Sequence, residues 1–172
     1  EDEFRQYEQL GDHFAAVAGW TDAEVVVDAG GNGRDGLEGS ASFVTGGYFS
    51  VLGVRPVLGA GLPSRETTNA PVAVISHRMW QHLYAADPGV LGSTVSVNGT
   101  SFTVVGVAPP GFNGVVMGSA GFKLWVPLAT RSLVVPGAMH EFRAAARLRS
   151  DVTLGSASAA VGVVASRVAA SN

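Results

Sequence analysis

Few residues in this chain have a type and spacing that could do chemistry, and each candidate has a physical requirement to meet. Gly31-Asn32-Gly33-Arg34-Asp35-Gly36 matches G-x-G-x-x-G, which cradles a dinucleotide pyrophosphate when a helix begins there. The next residues, LEGSASFV, have a strand pattern, so the amides do not converge on an anion and the stretch reads as a hairpin loop. Asp28, Asn32 and Asp35 invite a calcium reading. Counted from Asp28, the third position is Gly30 and the twelfth is Gly39, where an EF-hand needs an oxygen ligand and a bidentate Glu. His77 and His82 stand five apart rather than four, and Arg78, not Glu, comes after His77, so the H-E-x-x-H zinc pattern fails. His13 and His140 stand alone. Ser119, in Gly118-Ser119-Ala120-Gly121, lacks the G-x-S-x-G spacing of a nucleophile elbow. Ser76, His77 and Asp87 have the residue types of a hydrolytic triad but are scattered around one helix. Asn98-Gly99-Thr100 is formally a glycosylation sequon, and a hairpin turn explains it better.

The elements that must position these residues can be read from periodicity. Phe4, Tyr7, Leu10, Phe14 and Val17 recur in steps of three and four, which predicts a helix that Gly19 ends. Glu24 to Asp28 reads as a strand and Leu37 to Val44 as its antiparallel return. Gly46-Gly47 opens a short helix through Tyr48, Phe49, Val51 and Leu52, and Gly53 closes it. Pro71 precedes a buried strand, VAVIS. Ser76 is then placed to cap a helix from His77 to about Tyr84. Asn98-Gly99 lies between two alternating runs, the signature of a type I′ hairpin from Thr94 to Ala108. Its register sets Val95 against Phe102 and Val97 against Thr100, and Val104 continues that face, which should be buried. Pro109-Pro110 stops the second strand. Leu124 to Leu128, interrupted at Pro127, and Phe142 to Leu148 read as further strands. Asp151 or Thr153 begins a final helix with Leu154, Ala157, Val161, Val164, Ala165 and Val168 on its apolar face.

Composition narrows the classes. The 172 residues are 47% hydrophobic and 15% charged, too apolar for a disordered chain. The net charge is −3, and of eleven basic residues only Lys123 is lysine. With no basic stripe, nucleic-acid binding is not expected. Cysteine is absent, which removes disulfides, a thiolate nucleophile and zinc–cysteine sites. No apolar run approaches the roughly 20 residues that span a bilayer. Glu1 to Glu3 read as the middle of a longer chain. Catalytic, cofactor and metal residues are therefore expected to be none.

One stretch invites a positive reading. GFNGVVMGSAGF, residues 111–122, is rich in apolar side chains for a loop. Either these roof a small core, or Phe112, Val115, Met117 and Phe122 form an exposed patch for a partner or an apolar ligand.

The order FVTGGYFSVLGVRPVLGAGL, then PVAVISHRMWQHLYAADPGVLGSTVSVNGTSFTVVGVAPPGF, then LWVPL resembles the MacB-like periplasmic core domain of FtsX/MacB-like ABC-type permeases, in the flavour of the duplicated orphan permeases of acidobacteria. The likeness covers nearly the whole chain. One departure is Arg149-Ser150-Asp151, which stands where the family often has a Lys-Pro-Gly-like turn. The resemblance implies an α+β, two-lobed fold. Residues 1–54 and 140–172 would form a porter-like α/β lobe, and 55–139 an inserted, mixed β-rich lobe of the Sabre kind. A composition shift at Arg55-Pro56 fits that boundary. The resemblance also implies a non-catalytic domain on the periplasmic side of the bacterial inner membrane. It would relay ATP-driven motion from its own transmembrane helices and a cytoplasmic ABC ATPase, meet an adaptor or substrate, and work in a dimer of the full permease. The chain lacks a G-x-x-x-x-G-K-[ST] loop, which fits that division of labour. Two rivals remain open. A binding module for an apolar or peptide substrate predicts an open apolar cleft lined by Phe112 and Phe122. A hydrolase, less favoured, needs a spatially assembled site.

Overall fold

The computed structural model describes residues 11–30, 36–63, 70–115, 121–137 and 141–171, with side chains in the last segment as far as residue 166. Strands dominate the mixed α/β fold. β1 (Phe14–Ala29) is 16 residues long. β2 (Leu37–Val44) returns antiparallel beside it, from Trp20↔Val44 to Val27↔Leu37. A strand, not a helix, thus comes after the 31–36 glycines, of which Gly31 and Gly33 lie outside the described residues, and the dinucleotide pattern has no helix N-terminus to use.

The helix expected from Phe4 to Val17 does not form at its described end. Residues 1–10 lie outside the described residues, while Phe14 and Val17 belong to β1 and Gly19 sits inside it. The partner decides. β8 (Arg143–Leu148) pairs along this half of β1, from Phe14↔Leu148 to Trp20↔Arg143. Gly19 donates its N–H to Thr45 Oγ1 at 3.0 Å, and its carbonyl accepts from the Thr45 N–H at 2.9 Å. Alanine-rich residues fit either state, so tertiary pairing overrides the three-and-four spacing.

The remaining strands are β3 (Leu58–Gly59), β4 (Val72–Ile75), β5 (Thr94–Val97), β6 (Thr100–Val107) and β7 (Phe122–Pro127). Hydrogen bonds run from β1 to β2, β7, β4, β6, β5 and back to β1. Six strands therefore close on themselves, which removes their free edges. Alternation sends Ala23, Val25 and Val27 of β1, Ala41 and Phe43 of β2, and Leu124 and Val126 of β7 inside. There they meet Ala73, Ile75, Val95, Val97, Phe102, Val104 and Val107. The Asn98-Gly99 turn holds the expected hairpin register, with both residues at positive φ (48° and 82°). Asn98 Oδ1 also accepts from the Val26 N–H at 2.8 Å, which docks the turn on the end of β1.

A second cluster covers the outside of the β1–β2–β7–β4 wall. Trp20, Val44, Val74 and Trp125 point outward into Tyr48, Phe49 and Val51 of α1 (Tyr48–Leu52), with Leu62 and Ala108. Gly53, at φ 69°, ends α1 as expected. Ser76 accepts from the Met79 N–H at 3.2 Å and caps α2 (His77–Leu83). A short helix that the periodicity did not announce, α3 (Arg131–Val134), lies beyond β7. The final helix, α4 (Leu154–Ser171), buries Ala157 and Val164 and half-buries Val161. Leu154 and Ala165, expected on the same face, are exposed, and Val168 lies outside the described side chains.

The closed circuit and both clusters draw on residues from either side of the expected boundary at residue 55. β3 runs along β6 where the sequence expects a crossing between lobes. Its approach depends on Gly106, whose added Cβ would stand 2.0 Å from the Ala60 carbonyl oxygen. Gly106→Ala is expected to cost roughly 1–3 kcal/mol by overpacking. Gly162→Ala, in α4 with nothing within 4 Å of the new Cβ, is expected to add about 0.5–1 kcal/mol through helix propensity. Paired thermal melts give the two signs, and a Gly106→Ala protein that melts with the parent would contradict the close β3–β6 approach.

Candidate functional site

The polar centre of the molecule lies on the outer face of the β1–β2–β7 wall. Asp22 of β1 faces Ser42 of β2 in register. The Ser42 hydroxyl donates to Asp22 Oδ1 in a short hydrogen bond. Lys123 of β7 brings Nζ to 3.0 Å from the same oxygen, and Arg143 of β8 places Nη1 3.5 Å from Oδ2. Arg143 also meets Glu141 at 2.6 Å. Only 5% of the Lys123 side chain and 23% of the Asp22 side chain are exposed. One carboxylate thus joins β1, β2, β7 and β8. Sequence reasoning missed this group. Its signal was the single lysine, inside the apolar run FKLWVP, since a lysine there must be paired or reach water.

The next step along the wall is aromatic. Tyr48 meets Trp20 edge-on at 5.6 Å, and Phe49 meets Trp125 edge-on at 5.6 Å. Phe112 stacks on Trp125 at 5.1 Å with 28° between planes. The loop after β6 closes over these rings at Gly114 (φ 89°). A Cβ there would stand 3.3 Å from the Tyr48 hydroxyl, 3.6 Å from Lys123 Cε and 3.7 Å from Trp125 Nε1. The Tyr48 hydroxyl and the Trp125 N–H are buried without a partner of hydrogen-bond geometry among the described residues. Burial pushes the Tyr48 hydroxyl up to about 12. Trp125 and the Val115 backbone pull it back, and Asp22 adds to the rise. Burial also raises Tyr84, against the pull of Ser93.

Three of the four apolar loop residues are described, and they have different surroundings. Phe112 roofs the aromatic cluster, Val115 is 45% exposed, and Phe122 is half-buried against the barrel interior and 6.2 Å from the His82 ring. Met117 lies outside the described residues. A cleft of about 230 Å³ lies on one side of Phe112, with His77, Arg78, Gln81 and Asn113 around it. It is not the apolar cleft expected between Phe112 and Phe122, because Phe122 does not line it.

The residues of the weighed triad have structural tasks. Ser76 Oγ accepts from the backbone of Met79 and, at 3.4 Å, of Lys123. Asp87 accepts from the Gly89 N–H at 2.8 Å and, through its carbonyl, from Trp80 Nε1 at 2.8 Å. The His77 ring packs on Trp80 at 5.3 Å. Among the described residues no three His, Asp or Glu side chains gather to hold a metal ion, and no helix is long and apolar enough to cross a membrane.

A closed sheet extended by β8, with Asp22, Lys123 and Arg143 gathered on its outer face, defines a mixed α/β body. The model of the MacB-like periplasmic core domain matches residues 1–163, and the chain belongs to that family. The family likeness read from the sequence holds. Its fold is similar to the periplasmic region of MacB from Actinobacillus actinomycetemcomitans (TM-score 0.72, 17% identity, 96% of this chain and 72% of that one). It is also similar to the extracellular domain of the noncanonic ABC-type transporter YknZ from Gram-positive bacteria (0.68, 13%, 89% and 73%). A domain of a putative permease protein from Porphyromonas gingivalis matches at 0.61, with 16% identity over 90% and 70%. At these identities the likeness is one of fold. No curated protein sequence matches the chain.

Lys123→Met leaves Asp22 with Ser42 and Arg143. The expected loss approaches the roughly 3–5 kcal/mol of a broken buried pair, less what the partial exposure of Asp22 returns. Adding Asp22→Leu should recover most of it, because apolar packing replaces buried ion pairs at little cost. Urea unfolding measures both, and a single-variant loss below about 0.5 kcal/mol would show the pair to be no more than a surface contact. The Tyr48 rise sets a second test. The unfolded hydroxyl ionises near 10 and the folded one at about 12. Stability is therefore whole below pH 10 and falls as pH rises toward 12. Tyr48→Phe should hold the neutral melting temperature and flatten that alkaline fall; an unchanged fall would remove Tyr48 as its source.

Proposed function

We propose that this chain is the extracytoplasmic domain of an FtsX/MacB-like ABC transporter permease, on the periplasmic side of the bacterial inner membrane, and that it does no catalysis. In this reading a cytoplasmic ATPase hydrolyses ATP and the permease's own transmembrane helices tilt. The domain then carries the displacement to an adaptor or substrate in the periplasm. The observation that carries the reading is the path of β1. Its start pairs with the end of β8 at Phe14↔Leu148, so the two outer segments of the chain enter side by side. The same strand then runs into the closed barrel. Motion applied at that pair passes along hydrogen-bonded sheet, and a stiff body moves as a unit. The Asp22–Lys123–Arg143 group braces the joint.

The two-lobed plan, 1–54 with 140–172 against 55–139, belongs to the same reading. Its support is the family likeness, since both hydrophobic clusters mix residues from either side of residue 55. The ladders of β1 with β5 and of β2 with β7 would then make a rigid seam between them. A dimer of the full permease, and partner contact through Phe112, Val115, Met117 and Phe122, are further parts of the proposal. Among the three of these that are described, Val115 is the most exposed.

The test uses the full-length permease with its ATPase in lipid vesicles. Within this domain introduced cysteines have no native competitor. Spin labels on Ser101 of the barrel and on the lipid-facing side of a transmembrane helix report their separation, and a second pair, on Ser101 and Leu37, reports the barrel's shape. Switching from ADP to a trapped ATP state should change the first distance and leave the second unchanged. No change in the first distance, or deformation in the second, would sink rigid transmission.

A further inference from the structure

We propose that the cleft beside α2 is a subsite for the carboxylate end of a peptide. It lies between the side of that helix and the loop beyond β6, and His77, Arg78, Gln81, Pro110, Phe112 and Asn113 line it. Among the described residues every polar side chain in that lining carries a hydrogen-bond donor, and none is a carboxylate. Arg78 is exposed and makes no ion pair among the described residues. A planar guanidinium with an open side matches a planar carboxylate through two parallel hydrogen bonds.

Size decides how much of a ligand enters. At about 230 Å³ the cleft is smaller than the roughly 300–1,000 Å³ that encloses a whole drug-sized molecule. It fits an end group, with the rest of the ligand outside. The side-chain amides of Gln81 and Asn113 can each donate to and accept from a peptide group. The Phe112 ring forms one wall, and its stack on Trp125 holds it in place. The His77 ring, packed on Trp80, is held likewise. Donors that a carboxylate can accept from, amide partners and a fixed aromatic wall together match the end of a peptide chain. The inference stands apart from the transmission reading, since a domain that passes on no motion could still hold a peptide here.

The experiment titrates the full 172-residue chain with N-acetyl-Ala-Ala-Phe bearing a free carboxylate, with the same peptide capped as its amide, and with inorganic phosphate, tracking backbone amide resonances. The free acid should shift the resonances of His77, Arg78, Gln81 and Asn113 in a saturable way. The capped peptide should bind at least about tenfold more weakly, as should the free acid to Arg78→Gln, which changes only an exposed side chain. Asn113→Ala gives a second variant on the other wall, with a smaller expected loss. Equal binding of acid and amide, absence of shifts at these residues, or saturation of the same resonances by phosphate ahead of the peptide would each overturn the assignment.

Discussion

A single strand edge has to serve two neighbours, and the architecture depends on how β1 manages it. Along one edge β1 pairs with β8 over Phe14 to Trp20 and with β5 over Val27 to Ala29. Along the other it pairs with β2 from Trp20 to Val27. The offset lets the same backbone belong to a closed barrel at one end and to an open extension at the other. Neither end is independent, because the register of β2 is common to both. A one-residue slip would turn Val25 and Val27 out of the interior and bring Glu24 and Val26 in.

That arrangement explains where the charges are. At Trp20 to Asp22 the wall passes from extension to barrel, and the side chains on its outer face are neither in the interior nor in open water. Asp22 sits at this change and gathers a cation from each side, Lys123 from the barrel and Arg143 from the extension. Buried ion pairs add little net stability over apolar packing, but they are hard to leave half-made. A group of this kind fixes which strand lies beside which more firmly than it strengthens the fold. The aromatic layer of Trp20, Tyr48, Phe49, Phe112 and Trp125 covers the same wall, with the Tyr48 hydroxyl and the Trp125 N–H buried there without a partner of hydrogen-bond geometry among the described residues.

The sequence made the local elements readable and the long-range ones obscure. The Asn98-Gly99 hairpin, the Ser76 cap and the Gly53 stop carry their cause in two or three adjacent residues, and each stands where expected. β1 did not, because its first half is a strand only by virtue of β8, more than a hundred positions away. The 111–122 loop left two readings open in sequence, a roof over a core or an exposed patch, and its described residues divide between them: Phe112 lies on Trp125, Phe122 packs toward the barrel and Val115 is exposed. The Asp22–Lys123 pair spans 101 positions, a separation that no local pattern encodes; only the misfit of a lysine in an apolar strand pointed to it.

The Asp22 ion group and the α2 cleft are placed apart, and the placement has a physical logic. Asp22 is tied to Ser42, Lys123 and Arg143 and is largely withdrawn from water. Arg78, beside the cleft, is exposed and makes no ion pair among the described residues. The two regions are not strangers to each other, because Phe112 packs on the wall that carries one and lines the other. One face of its ring is stacked on Trp125 of the β1–β2–β7 wall, and the ring also lines the cleft. Any movement of β7 relative to α2 would therefore change the shape of the cleft through one aromatic contact. That contact gives the molecule a route by which displacement of the sheet and occupancy of a surface site bear on each other, since a ligand that favours one position of Phe112 must by linkage favour the sheet position that goes with it.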